Sequence, residues 1–97
     1  KKGARVLATA KGRVISAERR GAYGKMVVID HGYGLTTRYA HLSKIAVKKG
    51  QRVSKGQRIG NQGSTGRSTG DHLHYEVRHN KVAVNPIKFI KAGSHVR

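Results

Sequence analysis

Two histidines separated by one residue, His72 and His74, could form part of a metal site. They lie in a run of strand-favouring residues, and side chains two apart on a strand point to the same face. A Zn²⁺ ion needs three or four ligands, so the pair needs a partner from elsewhere in the chain. A third imidazole, His41, lies upstream in residues 39–43, and only the fold could bring it close. The pattern also fits histidines that simply occupy a half-exposed strand.

The segment before the histidine pair favours a functional role. Residues 61–71 form a polar, glycine-rich stretch with no evident packing role, and loops of this length are often functional. Backbone N–H groups in this loop could bind a phosphate, but the Gly-Lys-Ser/Thr ending of a phosphate-binding loop is absent. We therefore interpret the loop as the wall of a substrate groove.

Three segments in this order, residues 39–43, 63–70 and 72–76, resemble the core of the lysostaphin-type zinc endopeptidases, which cut the peptides of peptidoglycan. Flanking segments agree as well: residues 24–32, 53–60 and 84–86. The resemblance covers nearly the whole chain. It implies an all-β fold, in which a largely antiparallel sheet folds around a central groove.

The resemblance also implies a role for each of the three histidines. His74 would be a zinc ligand, while His41 and His72 would be the catalytic imidazoles that orient the water nucleophile and stabilise the oxyanion. The substrate groove would be lined by two tyrosines and the polar loop: Tyr39, Tyr75, Ser64, Thr65, Arg67, Ser68 and Thr69. Glu76 shares the strand face but lies roughly 13 Å from His72 along the strand, too far for one metal to bind both. We interpret Glu76 as a partner of the site or a surface residue.

The chain departs from the family pattern in its acidic residues. In the family, zinc is held by a further His and an Asp, three or four residues apart, which precede the first strand. The only acidic residues here are Glu18, Asp30, Asp71 and Glu76, and residues 1–30 contain no histidine. We expect the chain to start after that motif. The sequence therefore predicts an incomplete Zn²⁺ site, and a 97-residue chain that by itself is inactive.

Length and composition predict one small domain spanning residues 1–97. With 36% hydrophobic residues, the core must be built largely from Val, Ile, Leu and Ala. The absence of cysteine excludes disulfides and thiolate zinc sites. No apolar run approaches the length of a membrane span, and no signal peptide is visible. We expect a secreted or membrane-anchored parent protein in the cell envelope, in the periplasm or the wall.

Short β-favouring runs alternate with glycine-containing turns along the chain. Five strands are predicted: residues 5–9, 13–18, 25–30, 35–40 and 72–78. Helical periodicity is nearly absent, apart from a short C-terminal helical turn predicted to start at Asn85 and Pro86. The other histidines are predicted to face solvent: His31, His79 and His95.

The charge of the chain predicts attraction to polyanions. Twenty-one Lys and Arg against four acids give a formal charge of +17, which favours anionic cell-envelope polymers or nucleic acid. The basic residues are spread along the chain, as in a solvated surface. No zinc finger, recognition helix or RNA-binding signature is present, so no specific nucleic acid partner is predicted.

Three functions remain open at this point. The favoured one is an endopeptidase acting on peptidoglycan peptides. The second is a non-catalytic relative that binds the cell wall or activates a partner hydrolase, although such a protein would not need His72. The third is a nucleic-acid-binding β module, which only the charge supports.

Overall fold

The structure, a computed structural model, describes residues 3–63, 74–80 and 82–84. Every strand pairing in it is antiparallel, and its one helical element is the 3₁₀ turn Gly21–Tyr23. The prediction of an all-β fold is confirmed. The predicted helical turn at Asn85 and Pro86 lies outside the described residues. Among the residues described, no helix is long and apolar enough to cross a membrane.

Eight strands form one sheet within the described residues. In chain order they are β1 (Arg5–Leu7), β2 (Gly12–Arg19), β3 (Lys25–Gly32), β4 (Leu35–Ile45), β5 (Arg52–Val53), β6 (Arg58–Gln62), β7 (His74–His79) and β8 (Val82–Val84). The order across the sheet is β1-β6-β4-β3-β2-β5, and β7 pairs with β4 and β8. The predicted runs overlap β1, β2, β3, β4 and β7. Strands β5, β6 and β8 were not predicted, because they are short and lack a clear alternation of apolar and polar residues.

Strand β3 is buried on both faces of the sheet, and its alternation separates two apolar clusters. Val27 and Ile29 point into the main core. The other buried members of the main core are Val6, Ala8, Val14, Tyr39, Leu42, Val47, Val53 and Ile59. Met26 and Val28 point the other way, where they form a smaller cluster with Ala40, against which Tyr23 packs. We call the side of the sheet that carries this smaller cluster the second face.

Strand β4 is the longest strand, and one of its edges is shared by two partners. Its first part, Leu35 to Ala40, pairs with β7, and its second part, Leu42 to Ile45, pairs with β6. His41 lies where one partner gives way to the other. The fold therefore places this predicted site residue at a junction of three strands.

A β-bulge sets the direction of the His41 side chain. Val27 pairs with Tyr39 and Lys25 with Leu42, so two residues of β4, Ala40 and His41, stand opposite one residue of β3. Because of this extra residue, Tyr39 and Leu42 both reach the main core, and His41 is left on the second face. Its backbone is left-handed, with φ at 58°, which costs a non-glycine residue about 1–3 kcal/mol. Bulges of this kind often re-aim a side chain next to an active site.

The prediction that His31 faces solvent holds only in part, because this half-buried side chain has polar partners at both ring nitrogens. Its Nδ1 donates to the Lys11 carbonyl at 2.8 Å, and its Nε2 lies 2.7 Å from the Thr37 hydroxyl. The Thr37 hydroxyl in turn donates to the Tyr39 hydroxyl at 2.8 Å, which also accepts from the backbone N–H of Thr9 at 3.2 Å. His31 therefore ties the turn before β2 to the buried polar end of Tyr39.

We expect His31→Ala to lower the free energy of unfolding by about 1–3 kcal/mol, because it removes two hydrogen bonds and leaves the buried Thr37 hydroxyl with one partner fewer. Urea unfolding monitored by circular dichroism measures the change. The matched control is His79→Ala, which removes an exposed imidazole and should change stability by less than about 0.5 kcal/mol. Equal stability of the two variants would contradict a structural role for His31.

Candidate functional site

Strands β4 and β7 bring two of the predicted histidines together. His74 is the register partner of Ala40, so it stands beside the bulge that carries His41. The two imidazole rings lie 5.9 Å apart between centroids, with an edge-to-face angle of 81°. His41 is 7% exposed, whereas the side chain of His74 is 42% exposed. The pair therefore joins a buried imidazole to one that solvent and a substrate can reach.

His74 takes part in a network of polar side chains on the second face. Its Nε2 lies 2.6 Å from a Glu76 carboxylate oxygen, and the other oxygen of Glu76 accepts from Arg78 at 3.0 and 3.1 Å. The Tyr23 hydroxyl donates to Glu76 at 3.3 Å, and Arg78 donates to Tyr23 at 3.3 Å. Each member thus has at least one charged or hydrogen-bonding partner.

The same network sets the charge of Glu76. Burial by itself would raise the pKa of this carboxyl, but the hydrogen bonds from His74 and Arg78, and the charges of both groups, outweigh it. The pKa of Glu76 therefore lies below its ordinary value. Glu76 remains an anion that can hold the His74 ring in one orientation.

The orientation of His74 suits a metal ligand. Histidines that bind a metal through one ring nitrogen usually donate the other N–H to a carboxylate or carbonyl. With Nε2 directed at Glu76, the lone pair of Nδ1 in His74 is left for another partner. The described residues hold no group of three His, Cys, Asp or Glu side chains that could bind a metal. His74 therefore fits as one ligand, and the described part of the chain does not complete a zinc site.

The two tyrosines predicted to line the groove lie on the opposite side of the sheet from His74. Tyr39 is 1% exposed and belongs to the main core, so it does not form a groove wall. Tyr75 packs against the same core, with its ring 5.4 Å from that of Tyr39 and its hydroxyl donating to Thr9 at 3.2 Å. Burial is the main reason that the pKa of Tyr75 is raised, an effect partly offset by the Thr9 hydrogen bond. Both rings stabilise the sheet under the site.

The loop that carries the remaining predicted residues begins next to His41. The backbone N–H of Gly63 donates to the His41 carbonyl at 3.2 Å. A Cβ atom on Gly63 would lie 2.6 Å from the backbone nitrogen of Ser43, so only glycine allows this approach. The predicted site residues that follow lie outside the described residues: Ser64, Thr65, Arg67, Ser68, Thr69 and His72.

Comparison with known proteins agrees with this arrangement. Residues 1–86 match the sequence pattern of Peptidase family M23. The chain belongs to this family. It is 51% identical over 91 residues to the peptidoglycan DD-endopeptidase ShyA of Vibrio cholerae, an alignment that covers 94% of the chain and 20% of ShyA. This M23 chain thus spans about a fifth of the length of that relative.

Solved structures of M23 proteins share the fold. A zinc-containing peptidase from Vibrio cholerae superposes with a TM-score of 0.84 at 46% identity, over 87% of this chain and 26% of that one. The catalytic domain of lysostaphin from Staphylococcus simulans superposes with a TM-score of 0.86 at 35% identity, over 94% of this chain and 73% of that one. The folded, antiparallel architecture described above is therefore that of M23 peptidases.

Sequence reasoning missed two members of the polar network in this M23 chain. Arg78 lies two residues after Glu76 on the same strand face, so the spacing of residues 74, 76 and 78 could have indicated it. Tyr23 could not have been found in this way, because the 3₁₀ turn that carries it is distant in sequence. Its ring lies 6.0 Å from that of His74, and only the packing of that turn on the second face brings them together.

Proposed function

We propose that this chain is part of a zinc-dependent endopeptidase that hydrolyses peptide bonds in bacterial peptidoglycan, in the cell envelope. The observation that carries the proposal is the approach of His41 and His74, whose rings lie 5.9 Å apart although they come from separate strands. ShyA, named as a peptidoglycan DD-endopeptidase, supports the substrate class. The neighbour named as a zinc-containing peptidase supports the metal.

In this proposal the histidines have different tasks. His74 would hold zinc through Nδ1, since Glu76 occupies its other ring nitrogen. When bound, zinc polarises the scissile carbonyl and lowers the pKa of its water. His41 and His72 orient the nucleophile and hold or release protons, for which an imidazole is suited near neutral pH.

We assign the further zinc ligands to the upstream His and Asp of the family motif. Among the 97 residues, those from 1 to 30 contain no histidine, and the described residues form no cluster of three metal ligands. We therefore propose that the 97-residue chain alone binds Zn²⁺ weakly and does not hydrolyse peptidoglycan.

A non-catalytic wall-binding or hydrolase-activating protein is the alternative. The strained backbone of His41, with φ at 58°, argues against this alternative. Such a conformation costs free energy, and a simple binding surface gains nothing from it. The left-handed conformation directs the imidazole at His74. A catalytic site needs such an arrangement, because proton transfer requires a fixed geometry.

The test compares the 97-residue chain with a longer form that carries the family's upstream His and Asp ligands, both incubated with purified peptidoglycan and Zn²⁺. We expect the longer form to release peptide fragments, detected by mass spectrometry, and a chelator to stop it. The 97-residue chain should release none and show no stoichiometric zinc. A zinc-loaded longer form that binds peptidoglycan but cuts nothing would favour the non-catalytic alternative. Tight zinc in the shorter chain would contradict the ligand assignment.

Ionic strength separates wall binding from chemistry in the same experiment. If the charge of +17 holds the protein on anionic polymers, binding to isolated sacculi should weaken steadily with salt, as the Debye length falls below about 8 Å. Cleavage of a short neutral peptide should change little, because the reaction is local. A salt-resistant, sequence-selective complex with nucleic acid would contradict the proposed partner.

A further inference from the structure

Two buried polar atoms without a hydrogen-bond partner belong to residues of one cavity on the second face, on strands that flank β3. Ser16 Oγ and Arg38 Nε are the only such side-chain atoms within the described residues. Ser16 is 8% exposed. Both residues line one cavity of about 170 Å³ between β2, β3 and β4. Buried polar atoms in native proteins nearly always have a partner, so an unsatisfied pair in one cavity indicates a ligand or water that fills it.

The cavity combines a cation with apolar walls. Besides Ser16 and Arg38 it is lined by Ile15, Arg20, Met26 and Val28. Arg20 forms an ion pair with Glu18 at 3.1 Å. The guanidinium of Arg38 has no such pair among the described residues. The occupant that fits is therefore an anion rather than a cation or an apolar group.

The other acidic side chains of the described region are already engaged. Glu76 is bound by Arg78 and His74, and a carboxylate oxygen of Asp30 accepts from the Gly32 N–H at 2.9 Å. Glu76 is the register partner of Arg38, but its carboxylate is bound by Arg78 and His74, and no described acid forms an ion pair with Arg38. A carboxylate from outside matches the guanidinium, whose planar N–H groups bind carboxylates in a bidentate manner.

The cavity lies a short distance from the histidine pair. Arg38 is the register partner of Glu76, and Ala40, two residues further on, is the partner of His74. Two residues of a strand span about 7 Å, which is also the length of about two residues of an extended peptide. A wider depression of about 530 Å³ begins at Arg38 and extends the other way, towards Thr36 and Asn80. An extended peptide bound at the histidine pair would reach Arg38 within about two residues.

We propose that Ser16 and Arg38 form a subsite for a free carboxylate of the substrate, one or two residues from the bond that is cut. This inference rests on the proposed function and specifies its substrate class: peptidoglycan stem peptides that bear an acidic group at that position. The Arg38 guanidinium and the Ser16 hydroxyl both donate to the carboxylate. Recognition of this kind disfavours an amidated peptide, because the amide carries no charge and presents its own N–H groups to the guanidinium.

The test measures binding, so it does not depend on a loaded metal site. Two synthetic stem peptides, identical except for a free carboxylate or a carboxamide at the position in question, are titrated into the ¹⁵N-labelled 97-residue chain and followed by NMR. We expect the carboxylate form to bind about tenfold more tightly, the range of a hydrogen bond to a charged group. The amide signals of Ser16 and Arg38 should shift. Arg38→Gln should remove the preference and Ser16→Ala should reduce it severalfold.

The matched control is Arg5→Gln, which makes the same charge change at an exposed residue of the distant edge strand β1 and should keep the preference. Three results would overturn the subsite and leave water as the occupant of the cavity. They are the absence of a preference in the wild-type chain, the absence of saturable binding of either peptide, and a preference that survives Arg38→Gln. Cleavage of both peptides at equal rates by the longer form would reject the subsite but not the proposed function. A preference without any cleavage would reject the function but not the subsite.

Discussion

Replacement of His41 by alanine is expected to lower the turnover number of the zinc-loaded longer form by roughly two to four orders of magnitude, the usual range for loss of an acid-base group. The imidazole is 7% exposed and directed at His74, and alanine leaves no group there that exchanges protons near neutral pH. Zinc content, measured by atomic emission, should be unchanged. Steady-state cleavage of a short peptide, with zinc content measured in parallel, checks both parts of this expectation.

A second substitution separates chemistry from backbone geometry at this position. His41 has φ at 58°, and asparagine tolerates that left-handed conformation better than most residues. His41→Asn should therefore preserve the bulge, yet it cannot exchange protons near neutral pH. We expect it to be as inactive as His41→Ala. Recovery of activity in His41→Asn would mean that His41 acts by shaping β4 and not by acid-base catalysis.

Replacement of His74 by alanine is expected to abolish tight zinc binding in the longer form. Loss of a direct ligand should cost more than the roughly 10–100-fold in affinity that follows loss of an outer partner. Glu76→Gln measures the smaller effect of losing an outer partner, because it leaves the ligand in place but replaces the carboxylate that lies 2.6 Å from His74 Nε2. Competition with a chromophoric chelator measures both affinities.

The control for the His74 series is His79→Ala, which removes another imidazole of the same strand but an exposed one, and which should keep full zinc affinity. If His72→Ala removed the metal while His74→Ala kept it, the assignment of roles within the pair would be reversed. If Glu76→Gln bound zinc as tightly as the wild type, the carboxylate would not position the ligand.

The all-β fold could be predicted because it depends on local patterns. Runs of β-branched residues separated by glycine turns occur wherever strands β1, β2, β3, β4 and β7 were later found. The alternation of residues 74, 76 and 78 also placed Glu76 on the face of His74, and the structure adds their direct contact. Strands β5, β6 and β8 escaped prediction because two to five residues carry too little periodicity, and their formation depends on neighbours supplied by the rest of the sheet.

The positions of Tyr39 and His31 could not be predicted, for a different reason. Strict alternation along β4 cannot anticipate a bulge, and the bulge decides that Tyr39 and Leu42 share one face while Ala40 and His41 share the other. The prediction for His31 relied on its turn-like neighbours in the sequence. Its environment is instead formed by the Lys11 carbonyl and by Thr37 on the adjacent strand.

The strand-rich class, the excess of positive charge, the family resemblance and the identity of the imidazoles all follow from the amino-acid sequence alone. These properties depend on composition, on spacing within single strands and on short motifs, all of which are local. Which side chains come into contact depends on the three-dimensional fold. The change of partner along β4 brings His41 to His74, and the 3₁₀ turn adds Tyr23. The order of β2, β3 and β4 in the sheet places Ser16 in one cavity with Arg38. Each of these contacts joins residues far apart in the chain, and strand register and the bulge, which arise from the whole sheet, set their distances.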